Sequence, residues 1–282
     1  RVEQVTKNFQ NKETDFLKVV VNFPREVPVI RETIRDLQSI TEVYEADIPY
    51  VFRSILDNKI ELYKDFKPKI LAFDIETTSD GSFPDPLTDK IVSISYYSKD
   101  FEKVTIIRDF EKKHKYINSV DSEKELLKDF QETINKFEPD ILTGYNSDIF
   151  DMWFIKERAS KNKIKLKLNP LNEELIYTRG ARNAKPVKIN GITHLDAYIF
   201  IRNALAPRLK TNSLSLDNVA EEMLGQKKLE LGVLPHEAWL DDSDENMNRF
   251  AEYNLLDSKL TYLLAEKILP IALQFSRFTG LP

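Results

Sequence analysis

Apolar and polar residues recur along the chain with two periods, which predict strands and helices in an α/β order. Alternating or short apolar runs predict strands at 16–23, 42–44, 70–76, 90–97, 103–107 and 140–145. Apolar residues at helical spacing predict helices at 28–37, 47–60, 122–137, 147–161, 214–224 and from 242–245 to a break at Pro270. Residues 176–182 and 185–192 resemble the two arms of a hairpin. The 69–268 block is therefore predicted to be one α/β domain.

The predicted strand at 70–76 carries two carboxylates inside an apolar run. Successive side chains of a strand point to opposite faces, so Asp74 and Glu76 share one face while Phe73 and Ile75 share the other. Burying two adjacent carboxylates costs free energy unless a cation or another partner compensates their charge. The pattern therefore indicates a site that holds a compensating group.

The amino-acid composition limits which groups could compensate the charge of Asp74 and Glu76. The chain has 282 residues, of which 41% are hydrophobic, and no apolar run is long enough for a membrane span. The chain has no Cys, which fits a reducing cytoplasm. It has only three His and no close pair of them, so a bound metal would have mainly oxygen ligands. The net charge of −5 argues against a dedicated duplex binder, but it is compatible with an enzyme that holds phosphates through divalent ions.

Two further acidic patterns follow along the chain. Asp151 lies in the first turns of a predicted helix that follows a central-type strand, where α/β folds bind their ligands. Tyr253 and Asp257 lie four residues apart and share one face of the last helix. Each pattern alone is weak, because solvated aspartates and this spacing occur in many unrelated chains.

In this order, Asp-x-Glu (74–76), Asn-x-x-x-Phe-Asp (146–151) and Tyr-x-x-x-Asp (253–257) resemble the three motifs of the 3′ to 5′ proofreading exonuclease of family B DNA polymerases. Stretches outside the motifs resemble archaeal members most closely, namely EADIPYVFRSILD, THLDAY, LSLDNVAEEMLG and ILPIALQFSRFTGLP. The resemblance covers nearly the whole chain. It implies an RNase H-like exonuclease domain, with a mixed central sheet flanked by helices, and a small partial α+β N-terminal domain.

The resemblance also implies a catalytic centre with two Mg²⁺ or Mn²⁺ ions, which suit hard oxygen ligands. Its metal-binding acids would be Asp74, Glu76, Asp151 and Asp257. By this analogy Asp74 contacts both ions. Glu76 and Asp257 mainly contact the ion that binds the attacking water, and Asp151 contacts the other ion, partly through water. Tyr253 would be the catalytic-site tyrosine, because position 252, where a second subclass has His, is Glu here.

Other positions keep two interpretations. Asn146 and Phe150 would help to hold the terminal nucleotides, or they are a helix cap and a core aromatic. Thr77 would contact the terminal nucleotide, although Thr is also ordinary in strands. Asp196 is predicted to be structural rather than a fifth metal ligand, and His194 to be packed or hydrogen-bonded. The 176–192 segment occupies the place of a strand-separating hairpin, where four basic residues would meet DNA: Arg179, Arg182, Lys185 and Lys188.

By the same resemblance, residues 1–68 are the later part of a polymerase N-terminal domain and 69–268 are the exonuclease domain. Residues 269–282 return to the N-terminal domain and start the polymerase region. Palm, fingers and thumb sequences are absent from this chain, so we expect no polymerisation, and we expect no uracil recognition. The implied partners are a single-stranded DNA 3′ end or primer-template, the polymerase region of a full-length protein and, through that region, a sliding clamp. No membrane partner is expected, and the implied location is the cytoplasm, at the nucleoid.

Three functions remain open at this point. The first is a metal-dependent exonuclease that removes mispaired 3′ nucleotides from single-stranded ends as 5′-monophosphates. The second is a non-catalytic module that positions DNA or contacts subunits of a replicase, and the third is a free-standing nuclease that cleaves RNA. The intact motif acids favour the first function, and the polymerase-like terminal segments argue against the third.

Overall fold

The computed structural model describes residues 1–60, 67–78, 83–169, 173–177, 186–226, 235–241 and 243–279. The chain forms two compact units. The first unit comprises Arg1–Phe66 with Phe275–Pro282, and the second unit comprises Lys67–Gln274. The assignment of the terminal segments to a polymerase N-terminal domain stays a prediction.

The first unit contains an antiparallel hairpin of β1 (Val2–Phe9) and β2 (Lys12–Val19). Gln10 and Asn11 connect the strands with φ values of 51° and 64°, the positive values typical of a two-residue hairpin turn. The predicted bounds of 16–23 are therefore wrong for this strand. The turn fixes the pairing, and the pairing extends the strand into the polar residues that precede the apolar run.

Two helices follow the hairpin in the first unit, and both were predicted. A 3₁₀ turn at Pro24–Glu26 leads into α1 (Val27–Arg35), and α2 (Tyr50–Asp57) follows. The predicted strand at 42–44 is wrong, because these residues have no regular structure. Tyr44 instead packs its ring against two hairpin aromatics, with centroid distances of 5.0 Å to Phe9 and 6.0 Å to Phe16.

The second unit is built on a six-stranded mixed sheet. Its strands are β3 (Ile70–Thr77), β4 (Ile91–Ser98), β5 (Phe101–Ile106), β6 (Ile117–Ser119), β7 (Ile141–Gly144) and, after two short strands, β10 (Thr193–Asp196). The two short strands, β8 (Ile176–Tyr177) and β9 (Val187–Lys188), pair separately as the base of the predicted hairpin. The sheet order is β10-β7-β3-β4-β5-β6, with β3 parallel to β7 and antiparallel to β4. β3 therefore lies at the centre of the sheet.

Helices pack on both faces of this sheet. They are α3 (Glu123–Phe137), α4 (Asp151–Lys161), α5 (Ala197–Phe200), α6 (Leu216–Leu224), α7 (Pro235–Leu240) and α8 (Asp244–Thr279). Two short turns, a π turn at Ile201–Leu205 and a 3₁₀ turn at Ala206–Arg208, follow α5. Local signals set several ends: the Ser122 hydroxyl accepts a hydrogen bond from the Glu125 N–H at the start of α3, and Gly225 ends α6 with φ 69°.

The two faces of β3 have different neighbours. Leu71, Phe73 and Ile75 are buried in a core cluster with residues of α3 and α4. Ile70 and Ala72 are buried in another cluster with residues of α8. The predicted mixed sheet flanked by helices, with a small antiparallel sheet in the N-terminal unit, is thus confirmed.

Some predicted element limits are wrong. α4 begins at Asp151 rather than near Ser147, because the preceding residues form a hydrogen-bonded turn. α8 continues through Pro270 instead of breaking there. A proline removes one backbone hydrogen bond, but its fixed φ is helical, so a long helix can contain it at a cost. The strands β1, β6 and β10 and the short helices α5 and α7 were not predicted. Across the described residues, no helix has both the length and the apolar character that a bilayer crossing requires.

Candidate active site

The two acids of β3 lie on the face that α8 covers. Asp74 and Glu76 alternate with Phe73 and Ile75, whose side chains are in the core cluster on the opposite face. Both acids are partly exposed. The pairing with β4 shifts between Glu76 and Thr77, as in a β-bulge. Such irregularities are frequent beside active sites, where they redirect side chains.

α8 brings a third acid to the same place. The oxygen atoms that Asp74, Glu76 and Asp257 offer to a ligand all lie within 4.8 Å of one another. Asp257 is only 7% exposed. Tyr253 lies one helical turn before Asp257 and is partly exposed. The strand acids and the third predicted motif, which are far apart in sequence, therefore meet in space.

This group of three carboxylates fits a divalent cation. Like charges at this separation destabilise one another unless a positive charge lies between them. Mg²⁺ and Mn²⁺ prefer carboxylate oxygens, and each of the three residues supplies one. The donor set thus matches a hard cation and offers no nitrogen or sulfur ligand.

Asp151 does not belong to this group of three. It is 3% exposed, at the start of α4, and its carboxylate faces the backbone N–H of Ile75, the residue between the two strand acids. Burial raises the pKa of Asp151 to about 7, and the nearby Asp196 adds to this rise, while the N–H groups of Asp151 itself and Ile75 oppose it. The structure therefore places Asp151 against the β3 backbone beside the acids rather than among their oxygens.

Asp196 organises the turn that leads to Asp151. Its Oδ1 lies 3.1 Å from the N–H nitrogen of Asn146, and its Oδ2 lies 2.9 Å from that of Asp148. Asn146 has φ 66°, a left-handed conformation that Asn tolerates better than most residues. Burial raises the pKa of Asp196 although the N–H of Asp148 and that of Ile199 donate to it. Asp196 is thus placed as a backbone acceptor.

His194 lies between Ser147 and Asp148 in an arrangement that resembles a hydrolase triad. Its Nε2 is 3.1 Å from Ser147 Oγ, and its Nδ1 is 3.0 Å from Asp148 Oδ1. Ser147 is fully buried, however, and the His194 side chain is 1% exposed, so no substrate can reach the hydroxyl. A Cβ on Gly144 would lie 2.5 Å from Ser147 Cβ. These contacts hold the turn closely against the end of β7.

The other predicted substrate residues lie around this region. Thr77 ends β3, and Asn146 and Phe150 border the turn before α4. Phe150 is partly exposed and packs at the edge of the core, with its ring 5.4 Å from that of Phe154. Phe83, which is 76% exposed, meets Phe150 at 5.8 Å between ring centroids. Of the predicted hairpin contacts, Lys188 is exposed in β9, while Arg179, Arg182 and Lys185 lie outside the described residues.

Sequence reasoning missed three buried polar residues that link α8 to the sheet. Asn254 Nδ2 donates to Asp74 Oδ2 at 2.9 Å, and Ser93 Oγ donates to Asn254 Oδ1 at 2.7 Å. Ser95 Oγ donates to the Asn254 carbonyl oxygen at 2.7 Å. The alternation in Val92-Ser93-Ile94-Ser95 was a signal, because it puts two hydroxyls on the face shared with Asp74 and Glu76.

The comparisons with known proteins agree with this architecture. The DNA polymerase of Methanocaldococcus jannaschii is 32% identical over 292 residues, covering 99% of this chain and 17% of the relative. The DNA polymerase of Desulfurococcus sp. (strain Tok) is 32% identical over 290 residues, covering 99% of this chain and 35% of the relative. The chain thus spans between about a sixth and about a third of these relatives.

A solved structure shows the same fold. The family B DNA polymerase from the hyperthermophilic archaeon Pyrobaculum calidifontis superposes with a TM-score of 0.75 at 27% identity, covering all of this chain and 39% of that protein. The family model described as "DNA polymerase family B, exonuclease domain" matches residues 63–219, more than half of the chain. The predicted resemblance to this family is thereby confirmed, and this chain belongs to the family B DNA polymerases, within which it covers the exonuclease domain.

Proposed function

We propose that this chain is a metal-dependent 3′ to 5′ exonuclease that removes mispaired nucleotides from single-stranded DNA 3′ ends. The observation that carries the proposal is the meeting of Asp74, Glu76 and Asp257 within 4.8 Å, in a chain of the exonuclease family. Water would attack the terminal phosphorus while the bond to the 3′ oxygen of the preceding nucleotide breaks. The products would be a deoxynucleoside 5′-monophosphate and a strand that is one nucleotide shorter, with a 3′ hydroxyl.

The acids of this chain would hold two Mg²⁺ or Mn²⁺ ions. Asp74, Glu76 and Asp257 would supply carboxylate oxygens to these ions, and Asp151 would contribute from its position against the backbone of β3. When bound, such ions lower the pKa of water and offset the charge that develops on the phosphate oxygens. The protein's part is to keep the carboxylates in fixed positions, and burial of Asp257 and Asp151 serves this purpose.

Tyr253 would orient the reacting groups. Its phenol can donate or accept one hydrogen bond, and its place one turn before Asp257 keeps it on the same side of α8. In the proposal the hydroxyl donates to the phosphate or contacts the attacking water. Its loss should reduce turnover more than it reduces metal affinity.

The DNA end would lie beside the turn that precedes α4. Phe150 offers an aromatic surface for an unpaired base, and Asn146 and Thr77 offer polar groups to the terminal nucleotide. The polymerase region of a longer protein would deliver the primer end, and a sliding clamp would act through that region. The relatives, which are DNA polymerases several times longer than the matched segment, support this division of labour.

The test is shortening of a 5′-labelled single-stranded DNA by the 282-residue chain with Mg²⁺ or Mn²⁺. We expect a ladder of products shortened from the 3′ end and release of 5′-monophosphates. The double variant Asp74→Asn/Glu76→Gln should abolish the ladder. A matched control exists at Asp109 and Glu111, an exposed acid pair with the same spacing. Asp109→Asn/Glu111→Gln should cleave normally, and equal cleavage by all three proteins, or no cleavage by the unmodified chain, would contradict the proposal.

A further inference from the structure

We propose that Asn254 is a positioning residue that sets the orientation of the Asp74 carboxylate, and that Ser93 holds Asn254 in the conformation that this requires. The inference rests on the proposed function in one respect, which is that Asp74 acts as a cation ligand. Asn254 and Ser93 are not among the acidic residues of the three motifs, so the inference adds two side chains to the site.

The hydrogen bonds of the Asn254 amide run in one direction, from Ser93 to Asn254 and from Asn254 to Asp74. A side-chain amide presents an oxygen on one side and an NH₂ group on the other. The ionised Asp74 carboxylate can only accept, so the NH₂ group faces it, with Nδ2 2.9 Å from Oδ2. Asn254 Oδ1 then faces Ser93, whose hydroxyl donates to it at 2.7 Å. If the amide rotated by half a turn, it would present its oxygen to a carboxylate. Ser93 therefore stabilises the amide in the orientation that attracts Asp74, because its hydroxyl satisfies Oδ1.

Burial makes this chain of hydrogen bonds effective. Asn254 and Ser93 are fully buried, so water cannot replace either partner. Ser93 lies directly opposite Glu76 in the β3–β4 pairing, and Ser95 lies opposite Asp74. The two serines thus stand on the sheet face that carries the acids.

The same residue also fixes the position of α8. The backbone carbonyl of Asn254 accepts hydrogen bonds from Ser95 Oγ at 2.7 Å and from Ser258 Oγ at 3.3 Å, and the two hydroxyls contact each other. Asn254 lies one turn before Asp257 on the helix. One residue therefore connects the strand that carries Asp74 with the helix that carries Asp257, which sets the spacing between the two acids.

Groups that orient metal ligands change metal affinity or activity by about 10-fold to 100-fold when they are removed. We expect Asn254→Leu, which keeps a similar volume but has no amide, to raise the Kd for Mn²⁺ by roughly tenfold or more. Ser93→Ala should have a smaller effect in the same direction, because Asn254 keeps its amide but loses the donor that holds Oδ1 in place. Neither change should alter the KM for DNA as much as it lowers kcat.

The experiment measures Mn²⁺ binding by isothermal titration to the full 282-residue chain, with thermal melting to show that each variant is folded. Ser93→Ala and Asn254→Leu are combined in a double-mutant cycle. Because Ser93 acts through Asn254, the double variant should bind Mn²⁺ as weakly as Asn254→Leu alone. Ser98→Ala is the control, since it removes a buried hydroxyl of the same strand that donates to the Ile70 carbonyl oxygen and not to Asn254; its effect should be small and additive.

The outcomes separate this inference from the proposed function. The inference is overturned if folded Asn254→Leu has the same Mn²⁺ affinity and the same kcat as the unmodified chain. If Asn254→Leu does not fold, Ser93→Ala decides by the same two measurements. Cleavage that depends on the acids would then still support the exonuclease. Conversely, if Mn²⁺ affinity depends on Asn254 while the unmodified chain shortens no DNA, the inference stands and the proposed function fails.

Discussion

Arg158 and Glu123 form a doubly hydrogen-bonded ion pair inside the second unit. Nε and one terminal nitrogen of Arg158 lie 2.7 Å and 2.6 Å from the two carboxylate oxygens, and the side chains are 3% and 6% exposed. Glu123 also accepts from the backbone N–H of Ile91 and from the Asn162 amide. The pair therefore joins the first turn of α3 to α4 and to the start of β4.

Replacement of Arg158 should strongly destabilise the second unit. Arg158→Ala leaves the Glu123 carboxylate buried without its cation, and removal of one partner of a buried pair costs about 3–5 kcal/mol. Urea denaturation should show this loss. Arg249→Ala is the matched control, because its pair with Glu245 is exposed and should contribute at most about 1 kcal/mol. If both variants lose the same unfolding free energy, the buried pair contributes no more to stability than the exposed pair.

The same carboxylate should make the unit sensitive to acid. Burial by itself raises the pKa of Glu123, but the hydrogen bonds from Arg158, Asn162 and Ile91 outweigh it, so the pKa lies below its usual value. A depressed pKa contributes stability that is complete above the unfolded value of about 4.3 and is lost as the pH falls through the folded value. Glu123→Gln should therefore flatten the decline of unfolding free energy below about pH 4.3. Glu132→Gln, an exposed change on the same helix, should leave the decline as steep as in the unmodified chain.

Asp196 should control cleavage without touching the cation. Asp196→Ala removes the acceptor of the Asn146 and Asp148 N–H groups, and the loosened turn should shift Asp151 and lower kcat roughly tenfold to a hundredfold. Hydrogen exchange should become faster at the backbone N–H groups of Asn146 and Asp148. Asp140→Ala is the control, since Asp140 accepts from the Lys69 N–H at the other end of β7. Normal exchange and normal kcat in Asp196→Ala would contradict this role.

Phe83 should contribute to DNA affinity but little to stability. It is 76% exposed and meets the Phe150 ring edge to face, so a base can stack on it without unfolding the core. Base stacking on aromatic residues contributes about 1–3 kcal/mol per base, so Phe83→Ala should raise the KM for single-stranded DNA roughly fivefold to a hundredfold. Leu87→Ala, another exposed apolar change in the same loop, should not. A KM that responds equally to both changes would indicate general surface contact instead.

The sequence predicted the parts of the site that depend on local periods. A period of two placed Asp74 and Glu76 on one face of β3, and a period near four placed Tyr253 and Asp257 on one side of α8. The contact between Asn254 and Asp74 could not be found this way, because the residues are 180 positions apart and meet only through the packing of α8 on the sheet.

Local signals also failed where tertiary contacts decide the structure. Ser147 and Asp148 suggest a helix start, yet Asp196 and His194 hold them in a turn, and the helix begins at Asp151. Pro270 suggests a break, yet α8 continues. In the first case the deciding partners are distant in sequence. In the second, the rule that proline ends a helix is a preference with a finite energetic cost, which a long helix can bear.

Anomalous diffraction from Mn²⁺-soaked crystals would show whether Asp74, Glu76 and Asp257 together bind a cation. We predict a strong anomalous peak within direct coordination distance of the carboxylates of Asp74, Glu76 and Asp257, and its loss or weakening in Asp257→Asn. A peak confined to other parts of the surface, or no peak among these three residues at a Mn²⁺ concentration that supports DNA shortening, would show that they are not the metal site.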